Sequence, residues 1–420
     1  MKLIPYSRQS ISEADIAAVT AVLRSDFLTQ GDEVPRFEAA FAAVHQVAHA
    51  VAVSNATVAL HLACLALGVG PGSRVWTTPI SFVASANCAR YCGAEVDFVD
   101  IDPTTRNLSV SALRAKLEAA ERAGTLPQVL IPVDFAGLPS DGAELRQLAD
   151  RYRFAILADA SHATGASYRG APVGSAWADA TVFSFHAVKV ITTAEGGLVA
   201  TQNAALADKL RRLRSHGITR DAAQMTEPPE GDWVYEQIEL GHNARMTELQ
   251  AALGRSQLGR LHEQQARRVR LADRYDALLA GLPLRLPARL PDRRSAWHLY
   301  AVEIIPTAGL PTRAAVFAAL RAAQIGVNVH YIPIHTQPYY RALGFKRGDF
   351  PQAEHYYANA ISLPLYPELS DADQDRVVAT LREALASLSA GRLSVPVPAI
   401  DAAVDAAVDP VIDPVPEVAA

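Results

Sequence analysis

The sequence has few cysteines and no large excess of charge of either sign, and both features exclude classes of protein. Its three cysteines, Cys64, Cys88 and Cys92, lack the spacing of a metal site and are interpreted as reduced thiols of a cytosolic core. The 420 residues carry a net charge of -5, which offers no basic face to nucleic acid or to a membrane. No apolar run is long enough to cross a bilayer, and the first residues lack a secretion signal. We therefore expect a cytoplasmic protein without nucleic-acid or membrane partners.

Several common functional motifs are also missing. The segment Gly68–Gly72 is rich in glycine, but no Lys-Ser/Thr pair follows it, so it is a turn and not a nucleotide-binding loop. His330 and His335 have no acidic or thiol ligands at useful spacing, so we expect no metal site. No nucleophile elbow is present.

Short apolar segments alternate with helical patterns over the first half of the chain. The predicted strands are His49–Val53, Arg74–Thr77, Glu95–Asp100, Val129–Val133, Ala155–Asp159 and Ala180–Phe185. Helices are predicted around and between them, at Ser12–Arg24, Pro35–Val44, Thr57–Leu67, Phe82–Tyr91, Val110–Ala123 and Asp141–Tyr152. This alternation indicates an α/β fold with a mostly parallel sheet covered by helices on both faces, whose ligands gather at the carboxyl ends of the strands.

The pattern changes after the last of these strands. One long helical stretch, Thr247–Leu279, is predicted to bridge to a smaller C-terminal α+β domain with strands at Leu299–Ile305 and Val327–His330 and helices at Arg313–Ala323 and Asp371–Leu388. We therefore divide the chain into a large domain over residues 1–250, a small domain over 251–390, and a disordered Ala, Val, Pro and Asp tail over 391–420.

One of the five lysines stands in unusual surroundings. Lys189 lies in an apolar segment with no acidic residue before Glu195, whereas the other four lysines are terminal, on charged helices or in a polar loop. Burial without a partner lowers the pKa of an ammonium, and such an amine condenses with aldehydes. The alternative is a surface lysine whose stem covers apolar neighbours, and residue patterns alone leave the two interpretations about equal.

Two further segments favour the functional interpretation of Lys189. Asp159 closes a predicted strand, where its carboxylate can keep a pyridine nitrogen protonated, and His162 is three residues further on. Ser54–Thr57 opens a helix directly after a strand, and helix amides with the Thr57 hydroxyl suit a phosphate. Each segment alone is equally consistent with an ordinary helix cap. Together they indicate a site for pyridoxal 5'-phosphate.

These residues belong to longer segments that resemble the DegT/DnrJ/EryC1/StrS sugar aminotransferases, which have the fold-type-I fold of pyridoxal-phosphate enzymes. The resemblance covers roughly residues 3–388 and is carried by Ile4–Gln9, Asp26–Gly31, Ser184–Lys189, Arg214–Arg220 and His330–His335. Within the family, the segments are most similar to the branch of pseudaminic acid biosynthesis.

The resemblance implies a role for each matching residue. Lys189 would hold the cofactor as a Schiff base, Asp159 would face the ring nitrogen, and His162 the phenolic oxygen. Phe82 would stack on the ring, and Ala56, Thr57 and Ser184 would bind the phosphate. Asn243 would reach the phosphate from the neighbouring subunit, which implies a homodimer with shared active sites. The positions implied near the nucleotide-sugar are Tyr6, Asp26, Phe27, Leu28, Thr29, Asn328, Val329, His330 and Tyr331.

The implied reaction transfers the amino group of L-glutamate to C4 of a UDP-linked 4-keto-6-deoxy-N-acetylhexosamine. Perosamine-type and bacillosamine-type 4-amino sugars remain alternative products. Relatives that dehydrate keto sugars are expected to have histidine in place of the lysine, which Lys189 argues against. A non-catalytic cofactor-binding regulator is a remote alternative, since the sequence has no appended DNA-binding pattern.

Overall fold

The computed structural model describes residues 2–306 and 310–389, and its largest feature is a seven-stranded sheet. The strands are β1 (His49–Val53), β2 (Arg74–Thr77), β3 (Glu95–Phe98), β4 (Val129–Ile131), β5 (Ala155–Asp159), β8 (Ala180–Ser184) and β9 (Gly197–Thr201). Their spatial order is β1-β9-β8-β5-β4-β2-β3. All neighbours are parallel except those of β9, which runs antiparallel to β1 and β8. The predicted mostly parallel sheet is confirmed.

Helices flank this sheet, and several begin at a side-chain cap. They are α1 (Glu13–Leu23), α2 (Glu33–His45), α3 (Ala56–Ala66), α4 (Ala84–Tyr91), α5 (Val110–Ala123), α6 (Gly142–Tyr152) and α7 (Ala204–Arg214). Asn55 caps α3 by accepting the Val58 amide at 2.9 Å. All residues of β4, β8 and β9 are buried, which is why their sequences are largely apolar and do not alternate with charged residues.

A second, smaller sheet is antiparallel and lies among the later helices. Its strands, in the order β12-β14-β15, are β12 (Leu284–Arg285), β14 (Tyr300–Ile304) and β15 (Ala360–Leu363). The helices are α8 (Glu248–Gly259), α9 (Leu261–Leu279), α10 (Arg313–Ala322), α11 (Pro338–Ala342), α12 (Pro351–Asn359) and α13 (Asp371–Ser389). Two further small antiparallel sheets consist of two-residue strands. One pairs β10 (Ile218–Thr219) with β11 (Glu236–Gln237). In the other, β6 (Ser167–Tyr168) lies between β13 (Arg293–Arg294) and β7 (Ala171–Pro172).

The predicted single helix over Thr247–Leu279 is wrong, because the helix breaks at Arg260 between α8 and α9. The guanidinium of Arg260 donates to Asp15 at 2.8 Å and to the carbonyl of Ser10 at 3.1 Å. Gly259 precedes the break and weakens the helix there. The chain thus turns where the N-terminal segment is bound.

The predicted strand Val327–His330 is also wrong. Only Asn328 forms a bridge, with Ser362 of β15, and the amide of Val329 turns back to the Asn328 side chain at 2.7 Å. This local hydrogen bond competes with a ladder, as asparagine side chains commonly do.

The remaining predictions about organisation stay open. Residues 391–420, predicted to form a disordered tail, lie outside the described residues, and the division at residue 250 stays a prediction. No helix within the described ranges is long and apolar enough to cross a membrane.

Candidate active site

A cleft of about 510 Å³ opens at the edge of the large sheet where β5 and β8 end. The sequence-predicted residues that line it are Ala56, Thr57, Phe82, Asp159, His162, Ser184, Lys189 and Tyr331. These residues come from five separate segments of the chain, and the parallel strands bring them together because their carboxyl ends share one edge.

Asp159 is the last residue of β5, and its buried carboxylate is fixed from two sides. The Ser85 hydroxyl donates to Oδ2 at 2.6 Å, and the amide of Ser161 donates to Oδ1 at 3.1 Å. Ser85 in turn lies 2.6 Å from the hydroxyl of Ser81, so a short chain of hydroxyls ends on the carboxylate. An ionised carboxylate held in this way is a fixed negative charge in the wall of the cleft.

Sequence reasoning missed Ser81 and Ser85. Ser85 lies in the first turn of α4, and Ser81 lies in the segment just before that helix. Serines in such places are too common to have indicated a role, and Asp159 is 74 residues away from Ser85 in sequence.

Lys189 lies in a loop that is closed at its base by the sheet. Ser184 pairs with Gly197 across β8 and β9, and the amide of Thr193 donates to the carbonyl of Phe185 at 2.9 Å. The amide of Lys189 itself donates to the His186 carbonyl at 2.9 Å, which closes a turn before the lysine. Its side chain lines the cleft that contains Asp159, as the lysine hypothesis requires.

His162 is buried in the same wall, and its environment keeps it neutral. Burial, the charge of Lys189 and the proximity of His330 hold the pKa of His162 well below its ordinary value. Its Nδ1 accepts the amide of Ala136 at 3.3 Å, so the proton is on Nε2, which lies 3.1 Å from the hydroxyl of Tyr331. Tyr331, expected only near the sugar, is therefore also a hydrogen-bond partner of His162.

The start of α3 forms the opposite end of the cleft. The first amides of a helix have no partners within the helix and carry the positive end of its dipole, and here they belong to Ala56 and Thr57. The neighbouring Gly197 makes this arrangement possible, since a Cβ on it would lie 2.4 Å from the carbonyl carbon of Asn55. Ser184 adds a hydroxyl at the end of β8.

Other predicted site residues do not line this cleft. Asn243 is exposed and forms a backbone bridge with Ser215. The loop residues Asp26, Phe27, Leu28 and Thr29 are also exposed. Tyr6 is buried with its ring 5.6 Å from that of His330. His330 is buried against Ser362, while Asn328 and Val329 lie just before it. Their predicted roles stay predictions.

Three comparisons with known proteins match most of the chain. The model of the DegT/DnrJ/EryC1/StrS aminotransferase family matches residues 9–382. The chain belongs to this family. It is 40% identical over 383 residues to the spore coat polysaccharide biosynthesis protein SpsC of Bacillus subtilis, which covers 90% of this chain and 96% of that protein.

Solved structures of family members have the same fold. Helicobacter pylori PseC, an aminotransferase involved in the biosynthesis of pseudoaminic acid, is 31% identical with a TM-score of 0.84, covering 92% of this chain and 100% of that one. Spr1654 of Streptococcus pneumoniae, solved in PLP and PMP forms, is 30% identical in both, with TM-scores of 0.83 and 0.84. The coverage for the PMP form is 92% of this chain and 98% of that one. The chain therefore has the fold-type-I fold of the sugar aminotransferases.

The family's cofactor is pyridoxal 5'-phosphate, and the residues of the cleft fit it. A helix N-terminus with a hydroxyl beside it suits the phosphate, and the fixed Asp159 carboxylate suits a protonated ring nitrogen. Lys189 supplies a primary amine in the same cleft. No group of His, Cys, Asp and Glu that would hold a metal ion occurs in the part of the chain that the structure describes.

Proposed function

We propose that this chain transfers the amino group of L-glutamate to C4 of a UDP-linked 4-keto-6-deoxy-N-acetylhexosamine, giving UDP-4-amino-4,6-dideoxy-N-acetyl-β-L-altrosamine. The observation that carries the proposal is the meeting of Lys189, Asp159 and the start of α3 in one cleft. The sugar class is supported by the likeness to PseC. In the reaction, glutamate becomes 2-oxoglutarate while the keto sugar becomes an amino sugar.

Each cleft residue has a task in this reaction. Bound pyridoxal phosphate supplies an electron sink that stabilises negative charge on the carbon losing a proton. Lys189 Nζ is the general base that takes the proton from Cα of the amino donor and returns it during transfer. Asp159 holds the proton on the ring nitrogen, and the amides of Ala56 and Thr57 with the Ser184 hydroxyl bind the phosphate.

The outer contacts of the substrate are part of the same proposal. Phe82 is 38% exposed, which leaves its ring available to stack on the cofactor. The sugar nucleotide is assigned to Tyr6, the loop Asp26–Thr29 and the segment Asn328–Tyr331, and Asn243 is assigned to the phosphate of a second subunit. The protein is then a cytoplasmic homodimer.

A second candidate is a sugar aminotransferase with a different 4-keto substrate. The 40% identity to SpsC, a protein of spore coat polysaccharide biosynthesis, favours it. Perosamine-type and bacillosamine-type products belong to this candidate.

The decisive experiment incubates the purified protein with glutamate and a panel of nucleotide-linked 4-keto sugars, and identifies each product by NMR. Lys189→Ala should abolish turnover and the visible cofactor absorbance band. Lys209→Ala is the matched control, because Lys209 donates to the Ala66 carbonyl on α3 away from the cleft and should leave both unchanged. Turnover by the Lys189→Ala protein would refute the assignment.

A further inference from the structure

A buried tyrosine on α12 is hydrogen-bonded to the segment that contains Tyr331. The hydroxyl of Tyr356 donates to the carbonyl of His330 at 3.0 Å, across 26 residues of the chain. The Tyr356 side chain is 2% exposed, and burial raises its pKa, so the hydroxyl retains its proton. Tyr331 follows this carbonyl directly and lines the cleft that contains Lys189. Tyr356 does not line the cleft itself, so it would act on a substrate through this segment.

The ring of Tyr356 is fixed by contacts that do not involve its hydroxyl. Arg106 lies over it, with the guanidinium carbon 5.5 Å from the ring centroid, and is in turn paired with Glu303 of β14. Phe135 meets the ring edge to face, with 5.7 Å between the centroids. Phe135 is also edge to face with Tyr331, at 6.4 Å. The hydroxyl can therefore be removed while this packing of the ring is retained.

Tyr331 contacts two other residues of the cleft. Its hydroxyl lies 3.1 Å from Nε2 of His162, and its ring centroid lies 6.4 Å from that of Phe82. His162 is held separately, because its Nδ1 accepts the amide of Ala136 at 3.3 Å. A shift of the backbone at His330 would thus move Tyr331 relative to Phe82 and leave the Ala136 contact of His162 in place.

The same segment is anchored to β15 further from Tyr331. The backbones of Ser362 and Asn328 exchange two hydrogen bonds, and the Ser362 hydroxyl lies 2.8 Å from Nδ1 of His330. The backbone anchor is at the third residue before Tyr331, whereas Tyr356 holds the carbonyl directly before it. The Tyr356 hydroxyl is therefore well placed to fix the backbone from which Tyr331 projects.

We propose that Tyr356 is a positioning residue that sets the place of Tyr331 for the sugar nucleotide. This inference rests on the proposed function, which assigns Tyr331 to that substrate. His330 is buried, and a buried carbonyl without a donor is unfavourable, so the segment shifts towards another partner when the hydroxyl is missing. The loss falls on the sugar half of the reaction, because glutamate is not assigned to this segment.

The test compares Tyr356→Phe with Tyr275→Phe in the cofactor-loaded protein. Tyr275 is the matched control, because its buried hydroxyl also donates to a backbone carbonyl, that of Pro364 at 2.9 Å, and does not line the cleft. Steady-state turnover gives the KM of the keto sugar nucleotide, and the cofactor absorbance follows the reaction with glutamate alone. For Tyr356→Phe we expect this KM to rise roughly three- to tenfold while the glutamate reaction keeps its rate. Tyr275→Phe should change neither.

A double variant tests whether Tyr356 acts through Tyr331. Tyr331→Ala alone should raise the KM of the sugar nucleotide. Adding Tyr356→Phe to it should raise this KM no further, because the side chain that Tyr356 positions is already absent. Two independent increases would show that Tyr356 affects the sugar by another route, contrary to the proposal.

Hydrogen exchange, measured by mass spectrometry on the cofactor-loaded protein, tests the same contact without any sugar. The amides of Asn328, Val329 and Ile334 donate hydrogen bonds, so their exchange reports whether the segment is held. Peptides that cover residues 328–334 should exchange faster in Tyr356→Phe than in the unaltered protein. Tyr275→Phe should leave them unchanged.

Unchanged exchange over residues 328–334 in Tyr356→Phe, an unchanged KM for the sugar nucleotide, or an equal loss in the glutamate reaction would each overturn the proposal. If the unaltered protein turns over no sugar of the panel, the proposed function fails. The exchange measurement would still decide, in that case, whether Tyr356 holds the segment.

Discussion

Ser85 does not line the cleft, but it can affect a bound cofactor through Asp159. Its hydroxyl donates to Asp159, whose negative charge is proposed to hold the proton on the ring nitrogen. Replacing Ser85 with Ala leaves one carboxylate oxygen without this donor. Since a hydrogen bond to a charged group contributes about 1.5–3 kcal/mol, we expect turnover to fall by about one to two orders of magnitude.

The Ser85→Ala prediction is checked by steady-state kinetics and by a pH titration of the cofactor absorbance. Ser81→Ala is the graded control, because Ser81 reaches the carboxylate only through Ser85 and should lose less activity. Equal activity of the Ser85→Ala and unaltered proteins across the pH range would show that the carboxylate does not need this hydroxyl.

Asp134 is a second carboxyl group in the same wall, and its burial couples folding to pH. It is fully buried, Oδ1 accepts from the amide and hydroxyl of Ser140, and Oδ2 has no hydrogen-bond partner among the described residues. Burial raises the pKa of Asp134 to about 7, with a contribution from Asp159, while Ser140 and Arg293 oppose the rise. The folded protein thus binds this proton more tightly than the unfolded chain does.

The sign of the pH effect follows from that difference. Between about pH 4 and pH 7 the folded state holds the extra proton, so the free energy of unfolding falls as the pH rises through this window. Asp134→Asn cannot ionise and retains the acceptor for Ser140. We expect its melting temperature, compared with that of the unaltered protein, to be higher by several degrees at pH 8 and by clearly less at pH 5. A constant difference at both pH values would contradict the prediction.

Strand β9 lies close to α3 because position 197 is a glycine and has no side chain. A Cβ on Gly197 would lie 2.4 Å from the Asn55 carbonyl carbon and 2.6 Å from the Ala56 amide. Because the neighbours are backbone atoms, α3 has to move away from β9. Gly197→Ala should destabilise the protein by about 1–3 kcal/mol, as overpacking does, and weaken cofactor binding.

Urea unfolding and a cofactor titration measure these two effects of Gly197→Ala. Gly70→Ala is the control, because a Cβ there would meet nothing within 4 Å and its φ is not in the left-handed region. If Gly197→Ala behaves like Gly70→Ala in both measurements, the close approach has no energetic consequence.

The sequence predicts the elements of the large sheet well, and the reason is their burial. Six of the seven strands, the buried β8 among them, are predicted from their short apolar runs, whereas the equally buried β9 was not predicted. The break at Arg260 and the Ser85–Asp159 contact were missed, because each depends on a partner far away in the chain. Local patterns contain no information about such partners until the fold is known.

The difference between local patterns and distant partners also decides which residues of the site can be predicted. Lys189 and Asp159 were predicted because the lysine in apolar surroundings, the strand-end carboxylate and the helix opened by Ser54–Thr57 occur together, although each alone also fits an ordinary role. The link between Tyr331 and His162 was not predicted, since 169 residues separate them. Phe82 was singled out only by the family resemblance, and it lines the cleft with 38% of its surface exposed.

Because Asn243 is exposed, the proposed homodimer can be tested by mixing two variants. If Asn243 serves the partner's cofactor, Asn243→Ala and Lys189→Ala should each be impaired alone. Mixed subunits would contain one site with both native residues, so co-refolding the two variants should restore up to about a quarter of full activity. Activity that does not rise on mixing, in a sample shown to contain hybrids, would place Asn243 in its own subunit's site or in none.

The Lys189 loop is held by the paired strands at its base. Both ends of the loop belong to paired strands, so the register of Ser184 with Gly197 fixes where the loop starts and stops. A substitution at Lys189 would therefore leave this strand pairing in place. Under the proposed function, a lineage with this fold would lose its transamination by a single codon change and still retain a folded cofactor-sized cleft.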